Sequence, residues 1–163
     1  MRLPLVLVAL TIAVASAQLA TAEPIIFLAR HAEKSDAPRG DAKNPELSAQ
    51  GRARAALLGR MLKDAGIGAV FATEYARTQQ TAEEISRTTG ARVSVVPAKD
   101  AAALLDQLRT LESNAVVVGH SNTIPELIKG LGVEKPITIA ESDYDNLFLW
   151  RRSAPRELLQ LHY

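Results

Sequence analysis

The sequence predicts an α/β fold of three layers, α/β/α, in which helices cover both faces of a mostly parallel central sheet. Three observations predict it. Short apolar runs rich in β-formers, at residues 25–29, 69–72, 93–96 and 115–119, alternate with longer amphipathic stretches, which is the pattern of repeated βαβ units. Residues suited to helix ends, Ser48, Gly66, Gly90 and Asp100, stand at the joins between them. Composition agrees: 163 residues with 47% apolar and 23% charged side chains suit one globular domain with its own core, and exclude a disordered chain.

Taken in order, the chain opens with a segment unlike the rest. Residues 1–22 carry Arg2 as their only charge, then an apolar run over residues 3–15 and two A-x-A patterns, ending at Ala17 and at Ala22. This is the pattern of a secretory signal peptide, cleaved after Ala17 or Ala22. The run is shorter than the ~20 residues a spanning helix needs, so no stable membrane insertion is expected after cleavage. The remaining domain, residues 23–163, is expected to be periplasmic or secreted. It holds equal numbers of basic and acidic side chains, which gives no electrostatic footprint for nucleic acid or anionic lipid. With no cysteine, disulfides, thiolate nucleophiles and a lipoprotein anchor are excluded.

The run at 25–29 leads directly into Arg30-His31, and the turn-rich stretch 34–45 follows, placed to cover a ligand site beyond the strand's carboxyl end. A first helix is expected from near Ser48, through Ala53, Ala56, Leu57, Leu58, Met61 and Leu62, to a stop at Gly66. A second spans about residues 78–88 and ends at Gly90. A third, carrying Leu104, Leu105, Leu108 and Leu111 on one face, has Asp100 ahead of it as a cap. A fourth begins immediately beyond His120, with Pro125 early in it and Ile124, Leu127, Ile128 and Leu131 as its apolar face. Residues 146–151 and 157–162 flank Ser153-Ala154-Pro155 and read as a closing antiparallel pair at the sheet edge.

Three of the strand runs end in chemically capable side chains. Arg30 and His31 follow the first, His120 follows the run at 115–119, and Arg77 follows the run at 69–72 near the start of the second helix. In a parallel sheet these ends share one rim. A guanidinium offers a planar fork of donors matched to phosphate oxygens and a helix N-terminus adds partial positive charge, so the convergence favours an anion with several oxygens. His162, among the last three residues, is expected to be an ordinary surface side chain.

Four ordered motifs carry a resemblance: Leu28-Ala29-Arg30-His31-Ala32-Glu33, Leu47-Ser48-Ala49-Gln50-Gly51, Arg77-Thr78-Gln79-Gln80-Thr81-Ala82 and Val118-Gly119-His120-Ser121. Together they resemble the histidine phosphatase superfamily, also called the phosphoglycerate mutase-like family, over essentially all of residues 23–163. The resemblance implies a phosphoenzyme mechanism with His31 as nucleophile and Arg30, Arg77 and His120 as catalytic residues that bind the phosphate, with no metal and no cofactor. Cations around His31 would also oppose its protonation and keep the imidazole nucleophilic.

The sequence departs from the family pattern in two places. Ala32 stands where many members have glycine, and no carboxylate is plainly placed as leaving-group acid. Asp100, Glu33 and Glu74 are the candidates, Asp100 doubling as a helix cap and the two glutamates as residues that orient arginines.

The function expected is a metal-independent phosphatase acting on a small phosphorylated substrate, either a monoester or a phosphoramidate, through phosphohistidine. A mutase that returns the phosphoryl group to another oxygen, and a non-catalytic periplasmic phosphate- or sulfate-binding module, are the alternatives. Physiological substrate and oligomeric state are left open by the sequence.

Overall fold

A computed structural model describes residues 23–36 and 43–163. The leader reading falls on residues 1–22, outside the described residues. Ten elements follow in chain order: β1 (Ile25–Arg30), α1 (Ala49–Met61), β2 (Ile67–Ala72), α2 (Ala76–Thr89), β3 (Arg92–Val95), α3 (Ala101–Thr110), β4 (Asn114–Gly119), α4 (Thr123–Gly130), β5 (Asn146–Arg151) and β6 (Leu158–His162). The six strands form one sheet in the order β3-β2-β4-β1-β5-β6. β3, β2, β4 and β1 pair in parallel, β5 runs antiparallel to β1, and β6 runs antiparallel to β5. No described helix is long and apolar enough to cross a membrane.

The layers follow from the period-2 alternation of side chains along each strand. Ile26 and Leu28 of β1, Ala115 and Val117 of β4, and Phe148 and Trp150 of β5 face one side. There they pack with Leu104 and Leu108 of α3 and with Ile124, Leu127 and Ile128 of α4. Their neighbours Phe27, Ala29, Val116, Val118 and Leu147 face the other side, against Leu58 of α1, Leu62 just beyond it, and Ala82 and Ile85 of α2. Leu28, Leu58, Ile85 and Ile124 are fully buried, each worth about 1.5–3 kcal/mol relative to exposure.

Helix ends mostly follow the local signals. The Ser48 side chain accepts from the Gly51 amide at 3.0 Å, and Gly90 closes α2 in the left-handed region at φ 76°. Gly66 also takes positive φ, 63°, after a turn that ends α1 earlier than expected. Two expectations need correction. Asp100 precedes α3 but makes no side-chain cap: its amide closes a turn on the Pro97 carbonyl at 2.8 Å, and its backbone (φ −98°, ψ 36°) leaves the extended conformation that capping uses. The fourth helix starts at Thr123, three residues after His120, because the His120 amide is taken by the Thr123 side chain at 2.8 Å and a turn intervenes.

Sheet register brings the rim together. Arg30 pairs with Gly119, Ala72 pairs with Val118, and the His31 amide extends the ladder to the Gly119 carbonyl at 2.9 Å. Arg30-His31, Gly119-His120 and Ala72-Thr73 are therefore the leaving ends of three adjacent strands.

Candidate active site

At this rim lies a cavity of about 250 Å³ lined by Arg30, His31, Lys34, Tyr75, Arg77, Ala98, His120, Ser121, Asn122, Thr123 and Glu141. The structure thus brings all four sequence-predicted residues, Arg30, His31, Arg77 and His120, to one pocket. The His31 and His120 rings stand edge to face with centroids 5.3 Å apart.

Two neighbours define the tautomer of His31. Its Nδ1 lies 2.7 Å from the Ala32 carbonyl, which can only accept, so Nδ1 carries the proton. Nε2 is then the acceptor, and it receives the Nε–H of Arg77 at 3.1 Å. Burial, and then the charges of Arg77, His120 and Arg30, hold the imidazole far below the usual histidine range, at about 3, against the opposing hydrogen bond to Ala32. The cations act in the expected direction, but desolvation comes first: His31 is only 3% exposed.

His120 is oriented by a chain of hydroxyls. Its Nδ1 faces Nη2 of Arg77 at 3.5 Å and accepts from it, so the proton sits on Nε2 and is donated to Thr73 Oγ at 2.9 Å. Thr73 in turn meets Thr78 Oγ at 2.8 Å, and Thr78 donates to the Tyr75 carbonyl at 2.7 Å. Burial followed by Arg77 lowers His120 to about 4, partly offset by Glu74 and Glu141. Tyr75 packs edge-on against His120 and lies 4.6 Å from the Arg77 guanidinium, wedging both side chains.

Arg30 is held differently. Nη1 donates to the carbonyls of Ala140 and Asp143 at 2.8 and 3.2 Å, and Nη2 to Glu141 at 2.8 Å, while Tyr144 stacks 4.2 Å from the guanidinium carbon. Much of its donor capacity therefore anchors the segment between α4 and β5. Ser121, Asn122 and Thr123 bring the start of α4 to the cavity, where its partial positive charge adds to the arginines.

The carboxylates proposed as leaving-group acids do not line the cavity. Glu33 accepts from Arg54 at 2.8 Å and Gln50 at 3.1 Å, tying the loop after β1 to α1. Glu74 accepts the Ala98 amide at 2.8 Å, and Asp100 stays at the turn before α3. Among the described residues the carboxylate that does line the cavity is Glu141, which sequence reasoning missed together with Tyr75, Tyr144, Lys34 and Ser121. Ser121 adjoins His120 and Tyr75 lies two residues before Arg77, so both were within reach of the motifs; nothing local marks Glu141 or Tyr144. His162 lies away from the cavity, 3.3 Å from Asp145.

The sequence profile described as the histidine phosphatase superfamily (branch 1) matches residues 26–100, which hold Arg30, His31 and Arg77. No curated protein matches the sequence. Among solved structures, the protein histidine phosphatase SixA complexed with tungstate is similar at 19% identity and a TM-score of 0.69, covering 85% of this chain and 96% of that one. SixA from Agrobacterium tumefaciens is similar at 18% identity and TM-score 0.66, over 86% and 99% of the two chains. A mycobacterial glucosyl-3-phosphoglycerate phosphatase shares the fold at 14% identity and TM-score 0.59, over 85% and 96%. The profile match over the first half of the domain and the shared phosphoglycerate mutase-like fold together support the histidine phosphatase superfamily.

Proposed function

We propose that this chain is a phosphatase that hydrolyses a small phosphate monoester or phosphoramidate through a phosphohistidine formed on His31. One observation carries the reading: Nδ1 of His31 is held as a donor to Ala32, so the Nε2 lone pair points to the arginine of the pocket in its nucleophilic form. The profile match and the fold likeness to phosphatases support the same reading.

In the first step Nε2 attacks phosphorus, the N–P bond forms, and the bond to the leaving oxygen or nitrogen breaks with its electron pair going to the leaving atom. The Nδ1–H stays on the Ala32 carbonyl and stabilises the imidazolium character that develops. Arg77 leaves Nε2 for the phosphoryl oxygens, joined by the start of α4 and the remaining donors of Arg30. His120, neutral in the empty pocket, takes a proton from solvent on Nδ1 when a dianion arrives, and this N–H then donates a hydrogen bond to a phosphoryl oxygen. In the second step water attacks phosphorus, the N–P bond breaks, and inorganic phosphate leaves with neutral His31 restored.

Among the described residues no protonated carboxyl lines the cavity, so substrates whose leaving group departs without strong acid assistance are favoured, aryl phosphates and phosphoramidates among them. The tungstate bound by the structurally similar SixA is a tetrahedral oxyanion of the kind this pocket would accept. We further propose export: the leader-like residues 1–22 should be absent from mature protein, which would begin at Gln18 or Glu23 on N-terminal sequencing.

The test is direct. Incubation with a labelled aryl phosphate, quenching in alkali to preserve the N–P bond, and mass spectrometry should locate the phosphoryl group on His31. His31→Ala should abolish turnover while phosphate affinity stays within about tenfold, or ~1.4 kcal/mol. Unaltered turnover in His31→Ala refutes the mechanism. Isomerised ester in place of free phosphate would instead point to a mutase.

A further inference from the structure

Within the proposed phosphate pocket one anion is already present. Glu141 accepts from Nη2 of Arg30 at 2.8 Å through one carboxylate oxygen and from Ser121 Oγ at 2.6 Å through the other. Both donors line the cavity, one at the end of β1 and the other at the end of β4. A phosphate at this rim needs those same donors.

The backbone on either side of Glu141 is pinned. Arg30 Nη1 holds the Ala140 and Asp143 carbonyls, and the Asp143 carboxylate accepts the Ala140 amide at 3.1 Å. Only the Glu141 side chain is loosely held, 78% exposed against 3% for the side chain of Arg30. An exposed carboxylate can return to water and be hydrated there, while the buried guanidinium it leaves is taken over by the incoming anion. The hydroxyl and guanidinium both donate to it and lower its pKa, which leaves it charged and unsuited to serve as an acid.

We propose that Glu141 is a resident counter-anion of the pocket, which holds Arg30 and Ser121 in place, gives way to the phosphate group of the substrate, and returns to expel inorganic phosphate. It is a binding and positioning residue that sets phosphate retention. This proposal rests on the phosphatase reading above, since it takes phosphate as the displaced product.

The experiment is titration calorimetry of inorganic phosphate into wild type, Glu141→Gln and Glu141→Ala at pH 7.5, each first checked for folding by thermal melting. Both variants should bind phosphate about tenfold more tightly than wild type, and phosphate should inhibit aryl phosphate turnover correspondingly more strongly. The difference should persist in 0.5 M NaCl, because direct competition for donors is screened far less than a distant charge effect. Unchanged or weaker phosphate binding in the variants, with wild type still binding phosphate in competition with substrate, overturns the role of Glu141 alone. A difference that vanishes in salt does the same. Failure of wild type and variants alike to bind phosphate overturns the pocket assignment itself.

Discussion

The Nε–H of Arg77 points at Nε2 of His31 across 3.1 Å, so the lone pair that would bond to phosphorus is covered by a guanidinium in the empty pocket. The same arginine reaches Nδ1 of His120 with Nη2 at 3.5 Å, and so links the two rings. An incoming oxyanion competes for this arginine and uncovers the nucleophile by binding it.

Arg77→Ala should lower kcat/KM for an aryl phosphate by about 10²–10³, the range seen when one preorganised donor to a reacting anion is lost. Arg77→Lys should recover little of it, because an ammonium cannot offer two donors in the plane that joins the rings. Steady-state kinetics on both variants checks this, and a lysine variant near wild-type activity would contradict it.

The two pocket histidines should make the protein sensitive to acid. Both have folded pKa values below the ordinary 6.5, about 3 for His31 and about 4 for His120. Below pH 6.5 the unfolded chain takes up protons that the folded site refuses, so stability falls as pH falls. Each histidine costs up to ~1.4 kcal/mol per pH unit until its folded value is reached. The contribution is fully present above pH 6.5. Thermal unfolding from pH 7 to pH 4.5 should show the decline, and His31→Asn should remove about half of its slope in this range.

Gly51→Ala should destabilise the fold by about 2–3 kcal/mol, as overpacked sites do. A Cβ at Gly51 would stand 2.1 Å from the Glu33 carbonyl oxygen and 2.9 Å from the Glu33 nitrogen, a backbone collision that a rotamer change cannot relieve. Because Glu33 lies two residues beyond His31, activity should fall along with stability. Urea unfolding and turnover measured on the same preparation check both.

Thr73→Val removes the acceptor that holds the Nε2 proton of His120. The unpaired buried donor should cost about 1–3 kcal/mol of stability. The tautomer should also lose its bias, which ¹⁵N spectra of the imidazole would register. Turnover should drop by about tenfold as Nδ1 is no longer held toward Arg77.

Asp100→Asn should leave kcat/KM within about threefold of wild type, since the Asp100 carboxylate neither caps α3 nor lines the cavity. A large loss confined to substrates with poor leaving groups would restore it as the acid.

The extent to which these features were readable varies by element. The four parallel strands, the stop at Gly90 and the cap at Ser48 follow from residue types within a few positions of one another, where steric preference and hydrogen bonding to the nearest amides decide the conformation. Asp100 shows the limit of that reasoning: its residue type permits a cap, but the turn it shares with Pro97 gives its backbone another conformation.

Arg30, His31, Arg77 and His120 could be grouped in advance because each follows an apolar run, and parallel pairing carries such ends to one rim. Their hydrogen-bond roles could not. The direction of each imidazole proton depends on Ala32, Arg77 and the Thr73–Thr78 pair, and burial, the largest influence on both rings, is a property of the assembled layers. Glu141 and Tyr144 reach Arg30 across more than a hundred residues, from a segment with no periodicity to read. Local chain chemistry set the strands, the helix ends and the residues delivered to the rim. The antiparallel return of β5 beside β1 alone decided which acid and which aromatic ring meet them there, because pairing between distant segments is governed by sheet register and packing, and neither leaves a mark in the neighbouring sequence.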